Sequence, residues 1–190
     1  SFGTSVACAG DVNGDGYSDV IVGAIQYDNV ENSEGAAFVY HGSATGVNII
    51  AAVILESNQA NAQMGRGVAS AGDVNGDGYN DVIVGAYQYD DGFVNEGLAF
   101  VYHGSAGGLS ATPNSILDDA DQVNAFFGVS VSAAGDINGD GYSDVIIGAY
   151  GYTDMGNVGE GRAFVYNGND STSNKRNNRR MYNADLSTPI

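Results

Sequence analysis

Basic residues are scarce in this chain. Six Lys and Arg stand against 23 Asp and Glu, for a formal net charge of -17. A surface this acidic repels phosphate backbones, which argues against nucleic acid as a partner. Cysteine is scarcer still: Cys8 stands alone, so no internal disulfide can form. That count fits a reducing compartment, and equally an exported protein stabilised by metal. There are two Pro and no Trp. No stretch approaches the roughly 20 apolar residues of a membrane span. No signal peptide is visible and the first residue is Ser1 rather than Met. A mature or truncated chain reads the same way, so this is no argument for a cytosolic origin.

Glycine, tyrosine and short aliphatic runs are abundant. The 190 residues include 29 Gly and 12 Tyr, and 43% are hydrophobic. Such a chain has enough apolar material for a core. Many tight turns between short Val/Ile runs imply an all-β protein.

Internal repetition dominates the sequence. Residues 10–24 read GDVNGDGYSDVIVGA, residues 72–86 GDVNGDGYNDVIVGA and residues 135–149 GDINGDGYSDVIIGA. Asp11 and Asp73 are 62 residues apart, Asp73 and Asp136 63. A block beginning EGAAFVYHGS at Glu34 recurs as EGLAFVYHGS from Glu96 and EGRAFVYNGN from Glu160. Phe2-Gly3, Met64-Gly65 and Phe127-Gly128 precede each unit. The units divide the chain at 1–63, 64–126 and 127–190.

Each unit predicts four short antiparallel strands, in the second near 65–71, 81–87, 97–104 and 114–118. Apolar runs bounded by turn residues read as buried strands. Four-stranded units at a period near 60 suit the blades of a β-propeller. In the third unit Met181-Tyr182 align with the fourth strand. Three blades cannot close a ring and leave apolar faces open. The expectation is therefore a segment of a longer chain, or a chain that closes against another subunit.

Each unit carries D-x-N-x-D-G-Y-x-D. The residues are Asp11, Asn13, Asp15, Tyr17 and Asp19; Asp73, Asn75, Asp77, Tyr79 and Asp81; and Asp136, Asn138, Asp140, Tyr142 and Asp144. Side-chain oxygens at positions 1, 3, 5 and 9, a backbone carbonyl at 7 and Gly at 6 are the parts of a calcium loop. Three such loops predict three Ca2+ sites. Magnesium suits them less, since it prefers a tight octahedron and keeps its waters. An EF-hand also needs a bidentate Glu at position 12 and flanking helices. Position 12 is Val22, Val84 or Ile147, inside an apolar strand. The competing reading, plain Asx turns, leaves three crowded carboxylates per loop without a counter-charge.

These residues resemble the FG-GAP repeat of integrin α-subunit head domains and their bacterial relatives. FG corresponds to Phe2-Gly3 and Phe127-Gly128, with Met64-Gly65 departing at the first position. GAP corresponds to Gly23-Ala24, Gly85-Ala86 and Gly148-Ala149, with Ile25, Tyr87 and Tyr150 in place of Pro. The loop matches the family's D-x-D-x-D-G-x-x-D with Asn at the third position, which keeps an oxygen and removes a charge. The resemblance covers residues 1–168. It implies a seven-bladed propeller whose calcium loops join the first two strands of a blade on the lower face, with ligands on the opposite face. That face would comprise loops 25–34, 87–96 and 150–160 and connections 57–66 and 118–127. Tyr27-Asp28, Tyr89-Asp90-Asp91 and Tyr152-Thr153-Asp154 lie there. Aromatics beside acids suit a protein or glycan partner; the simpler reading is that Tyr caps a blade and Asp makes a turn.

Cys8 aligns with Ser70 and Ala133, all small, and is expected at a packed interior position. His41 and His103 align with Asn167 before a turn Gly and are expected to be turn residues. Lys175, Arg176, Arg179 and Arg180 hold four of the six basic groups. They would suit docking to an acidic neighbour, or a solvated loop. No nucleophile and base stand in a defensible pairing, so the chain is not expected to be an enzyme. The functional expectation is a calcium-stabilised module for adhesion or for protein or glycan binding, outside the cell or on its surface. The alternatives are a subunit of an extracellular scaffold or filament, and the non-catalytic propeller of a larger secreted enzyme.

Overall fold

The computed structural model describes residues 1–153 and 159–169, and the backbone of 179–182. Its elements are all strands: β1 (Phe2–Gly10), β2 (Asp19–Ala24), β3 (Ala36–Tyr40), β4 (Val53–Glu56), β5 (Met64–Gly72), β6 (Asp81–Ala86), β7 (Leu98–Tyr102), β8 (Ser115–Leu117), β9 (Phe127–Gly135), β10 (Asp144–Ala149), β11 (Arg162–Tyr166) and β12 (Arg179–Tyr182). They form three four-stranded antiparallel meanders, β1-β2-β3-β4, β5-β6-β7-β8 and β9-β10-β11-β12. The expected strand positions of the second unit agree with β5 to β8 within one or two residues. Met181 pairs with Phe164 as Ile54 pairs with Phe38 and Ile116 with Phe100, so the fourth strand of the last unit lies where the alignment puts it.

Registers repeat from sheet to sheet. Val22 faces Val6 on one side and Phe38 on the other; Val84 faces Val68 and Phe100; Ile147 faces Val131 and Phe164. The first strand of each sheet is irregular near both ends, between Phe2 and Ser5 and between Cys8 and Gly10 in β1. Such bulges bend and twist a strand, as blades around an axis require.

The sheets stack face to face. Ile21, Val39 and Leu55 of the first sheet pack with Met64, Val82, Val84 and Phe100 of the second. The second sheet's other face, with Ile83 and Val101, packs with Phe127, Val145, Ile147 and Phe164 of the third. The middle sheet is therefore covered on both sides, and every residue of β6 is buried.

Close approach between sheets explains two glycines. A Cβ on Gly23 would land on the Gly65 carbonyl oxygen, and one on Gly85 on that of Gly128. Gly65 and Gly128 have φ of 88° and 83°, a region L side chains rarely adopt. The glycine ending the second strand of one sheet thus abuts the glycine opening the next sheet, which is why both motif halves require Gly.

Cys8 is a correction. It is exposed rather than interior, and Ser70 and Ala133 are only partly buried. Cys8 shares a face of β1 with Phe2 and Val6, which are 62% and 71% exposed. The equivalent face of the second sheet is covered by the first sheet, whereas this one is open.

Candidate functional site

The nine-residue Asp loops connect β1 to β2, β5 to β6 and β9 to β10, at one end of each sheet. All three have the same hydrogen-bonded frame. Asp11 Oδ1 accepts the N–H groups of Gly14 (2.7 Å) and Asp15 (3.1 Å), and its Oδ2 accepts that of Gly16 (2.8 Å). Asp73 and Asp136 do the same with the amides of 76 to 78 and 139 to 141. The Asn at position 3 accepts the amide of position 5, and its own amide donates to the position-5 carboxylate. Backbone N–H groups of Gly141, opposed by slight burial and aided by those of Gly139 and Asp140, hold the Asp136 carboxyl below its ordinary range. Asp15, Asp77 and Asp140 are exposed.

Position 9 is different. Asp19, Asp81 and Asp144 are fully buried. Asp19 accepts the N–H groups of Val12 and Gly42, each at 2.8 Å; Asp81 accepts those of Val74 (2.8 Å) and Gly104 (2.9 Å); Asp144 accepts those of Ile137 (2.8 Å) and Gly168 (2.9 Å). Each therefore ties its loop to the turn following the third strand. Burial pushes the Asp81 carboxyl up to about 7 against those two amides, with Asp77 and Asp73 adding repulsion. The structure thus gathers positions 1, 3 and 5 around one turn and turns position 9 inward onto backbone amides. Each carboxylate oxygen retains lone-pair capacity beyond these bonds. An all-oxygen set of this kind suits a hard cation.

Successive loops are coupled. Asn80 donates its N–H to the Asp11 carbonyl, and its side-chain oxygen accepts the Asp11 N–H, both at 3.0 Å. Ser143 N–H donates to the Asp73 carbonyl at 2.9 Å. The Tyr at position 7 has a second use. The Tyr79 ring lies over Gly14 and the Tyr142 ring over Gly76, each 2.6 Å from where a Cβ would be.

At the opposite end lie the tyrosine-acid loops. Tyr27, Tyr89 and Tyr152 meet Phe38, Phe100 and Phe164 edge-on, with centroids 5.3, 5.9 and 5.6 Å apart. Asp28 and Asp90 accept the N–H groups of Ser33 and Asn95 across their loops. Tyr as cap and Asp as turn former is the arrangement present. Asp154, Lys175 and Arg176 lie outside the described residues, and of Arg179 and Arg180 only the strand backbone is described.

One constellation at this end escaped the sequence reading. Among the described residues, the carboxylate oxygens of Glu96, Asp118 and Asp121 lie within 4.8 Å of one another. Burial raises the Glu96 carboxyl. Burial and the neighbouring Glu96, Asp121, Asp91 and Asp119 push Asp118 up to about 7. The available signal was the spacing of 63 against 62, which marks an added residue in the second unit.

The FG-GAP repeat profile matches residues 2–40, 64–102 and 127–166. Integrin alpha-6 of Gallus gallus is 37% identical over 153 residues, covering 78% of this chain and 13% of that protein. Human integrin alpha-IIb is 36% identical over 157 residues, covering 79% and 15%. Integrin alpha-PS3 of Drosophila melanogaster is 36% identical over 153 residues, covering 78% and 13%. The chain spans at most 15% of the length of these three relatives.

Proposed function

From the premise that this chain belongs to the FG-GAP repeat family, we propose that it is a calcium-stabilised propeller module of an extracellular or cell-surface adhesion protein. Its units 1–63, 64–126 and 127–190 act as three blades, and it carries no catalysis of its own. The observation that carries the calcium reading is the threefold recurrence of one amide-lined Asp turn, at the same end of successive sheets. In each loop the ligands are the side chains at positions 1, 3, 5 and 9 and the Tyr carbonyl at position 7. The bonds from Asn80 to Asp11 and from Ser143 to Asp73 make the benefit collective, since an ion that stiffens one loop also stiffens its junction with the next blade.

Sites with dissociation constants of about 10⁻⁵ M, in calcium of about 10⁻³ M, would each stabilise the fold by about 2.7 kcal/mol. A calcium-poor cytosol would leave them mostly empty, which is the physical reason for the extracellular setting. Similarity to integrin alpha subunits supports a protein or glycan ligand on the end opposite the Asp loops. The open apolar face of the first sheet supports further blades beside it, from the same chain or another subunit.

The test is the thermal midpoint of the chain in millimolar calcium, in magnesium and in chelator. A rise of several degrees specific to calcium supports the reading. Equal midpoints in all three would remove calcium from it, and with calcium the argument for an extracellular setting.

A further inference from the structure

The loop after β6 and the connection after β8 lie at the same end of the second sheet, because alternate strands of an antiparallel meander run in the same direction. That end is opposite the Asp loop joining β5 to β6. Glu96 stands at the close of the first of these segments and Asp118 and Asp121 in the second. Glu96 is fully buried, yet its Oε2 meets no hydrogen-bond donor; its Oε1 accepts a long 3.4 Å bond from Phe93 N–H, and the Asp91 backbone N–H also faces the carboxylate. Asp118 Oδ1 is buried and also without a donor. A buried carboxylate oxygen left without a partner is unfavourable, and a second one beside it more so.

The first sheet shows how the same place is managed with fewer charges. Glu34 is the equivalent of Glu96 and is equally buried. There Asn29 N–H donates to Glu34 Oε1 at 2.8 Å, and Asn29 Nδ2 donates to Glu56 Oε2 at 3.3 Å, while Glu34 Oε2, like Glu96 Oε2, meets no donor. In the second unit Asp91 replaces Asn29 and Asp118 replaces Glu56, so the backbone N–H toward the buried Glu is kept but the side-chain donor that reached Glu56 becomes another acid, Asp91.

The third acid is an insertion. Gln59 exchanges two hydrogen bonds with the backbone of Asp90, and Gln122 does the same with Thr153. The two glutamines are therefore equivalent. Three residues separate Leu55 from Gln59 and four separate Leu117 from Gln122. The lengthened connection brings Asp121, directly before Gln122, beside Glu96 and Asp118. No described Lys or Arg forms an ion pair with the three.

We propose that Glu96, Asp118 and Asp121 hold a divalent cation of the calcium class at the end of the second sheet opposite its Asp loop. Three carboxylates on two irregular segments, with room for water on the exposed Asp121 side, match calcium's preference for many oxygens in flexible geometry. The ion would fasten the loop after β6 to the connection that leads into the third sheet.

The test is equilibrium dialysis of the 190-residue chain against radioactive calcium at saturation, for the parent and for Asp118→Asn/Asp121→Asn. The variant should bind one ion fewer per chain. Equal numbers would overturn the proposal and leave a proton as what the cluster holds. If the three Asp loops bound nothing, the parent would still hold one ion and the variant none. The two calcium readings therefore fail separately. Terbium-soaked crystals of the parent give a measurement that needs no variant. Anomalous density between the three carboxylates supports the site, and its absence while other terbium positions are filled overturns it.

Discussion

The carbonyl oxygen of Gly128 occupies the place where Gly85 would carry a Cβ. Backbone meets backbone there, so neither side can yield by changing a rotamer. Gly85→Ala is expected to cost about 3 kcal/mol through overpacking. Gly148→Ala would meet chiefly the hydroxyl of the exposed Ser130, which can rotate away, and should cost under about 1 kcal/mol. Urea denaturation of both variants checks the contrast. Equal losses would mean that the two sheets do not approach as closely as described.

Asp81 and Asp77 lie in one loop but should behave differently. Asp81→Ala removes the acceptor of the Val74 and Gly104 N–H groups at a buried site. It should cost about 3 kcal/mol in chelator, and more in calcium, where a ligand of the ion is lost as well. Asp77 is exposed, and water can replace it as acceptor for the Tyr79 N–H. Asp77→Ala should therefore matter only in calcium, with a change within about 0.5 kcal/mol in chelator. Melting each variant under both conditions separates a residue that is both structural acceptor and ligand from one that is a ligand alone.

In chelator, stability should fall as pH rises from about 4 to about 7. Asp81 and Asp118 are both raised to about 7 in the folded protein. Their unfolded counterparts release protons near 4. Between these values the folded state holds more protons than the unfolded, so raising pH favours unfolding, and above about 7 the effect levels off. Asp136 is lowered and acts in the opposite sense, with stability lost only as pH falls below the ordinary carboxylate range. Calorimetry across this range in chelator should show the decline, and saturating calcium should reduce it. A midpoint that rises steadily to pH 7 would contradict the burial of these acids.

Val68 and Val6 occupy equivalent positions, yet Val68 is 8% exposed and Val6 71%. Val68→Lys would bury a charge between the first and second sheets and should cost several kcal/mol, about 3 or more. Val6→Lys should change the isolated chain by about 0.5 kcal/mol at most. Chemical denaturation of the pair measures how sharply position in the stack sets the cost.

Much of the fold was legible because it is written three times. Short Val/Ile runs bounded by Gly and Asp mark strands wherever they occur, and the Asp loops and their place between the first and second strands follow from order alone. The inward turn of Asp19, Asp81 and Asp144 was not legible, since their partners Gly42, Gly104 and Gly168 lie over 20 residues away. Nor was the meeting of Glu96 with Asp118 and Asp121, which depends on two segments arriving at one end of a sheet. Cys8 was misjudged for a related reason. A small residue in a strand is interior only if another sheet covers it.

The hexapeptide Asp-Val-Ile-Val-Gly-Ala occurs unchanged at 19–24 and at 81–86. Its composition and flanking turns determined a strand in both places, with the same register against its neighbours. Yet β6 is buried throughout, while in β2 Val20 and Val22 are only partly covered. Local sequence sets backbone propensity and which side chains share a face. Whether a face meets water depends on what is stacked upon it, and that was decided by tertiary structure alone.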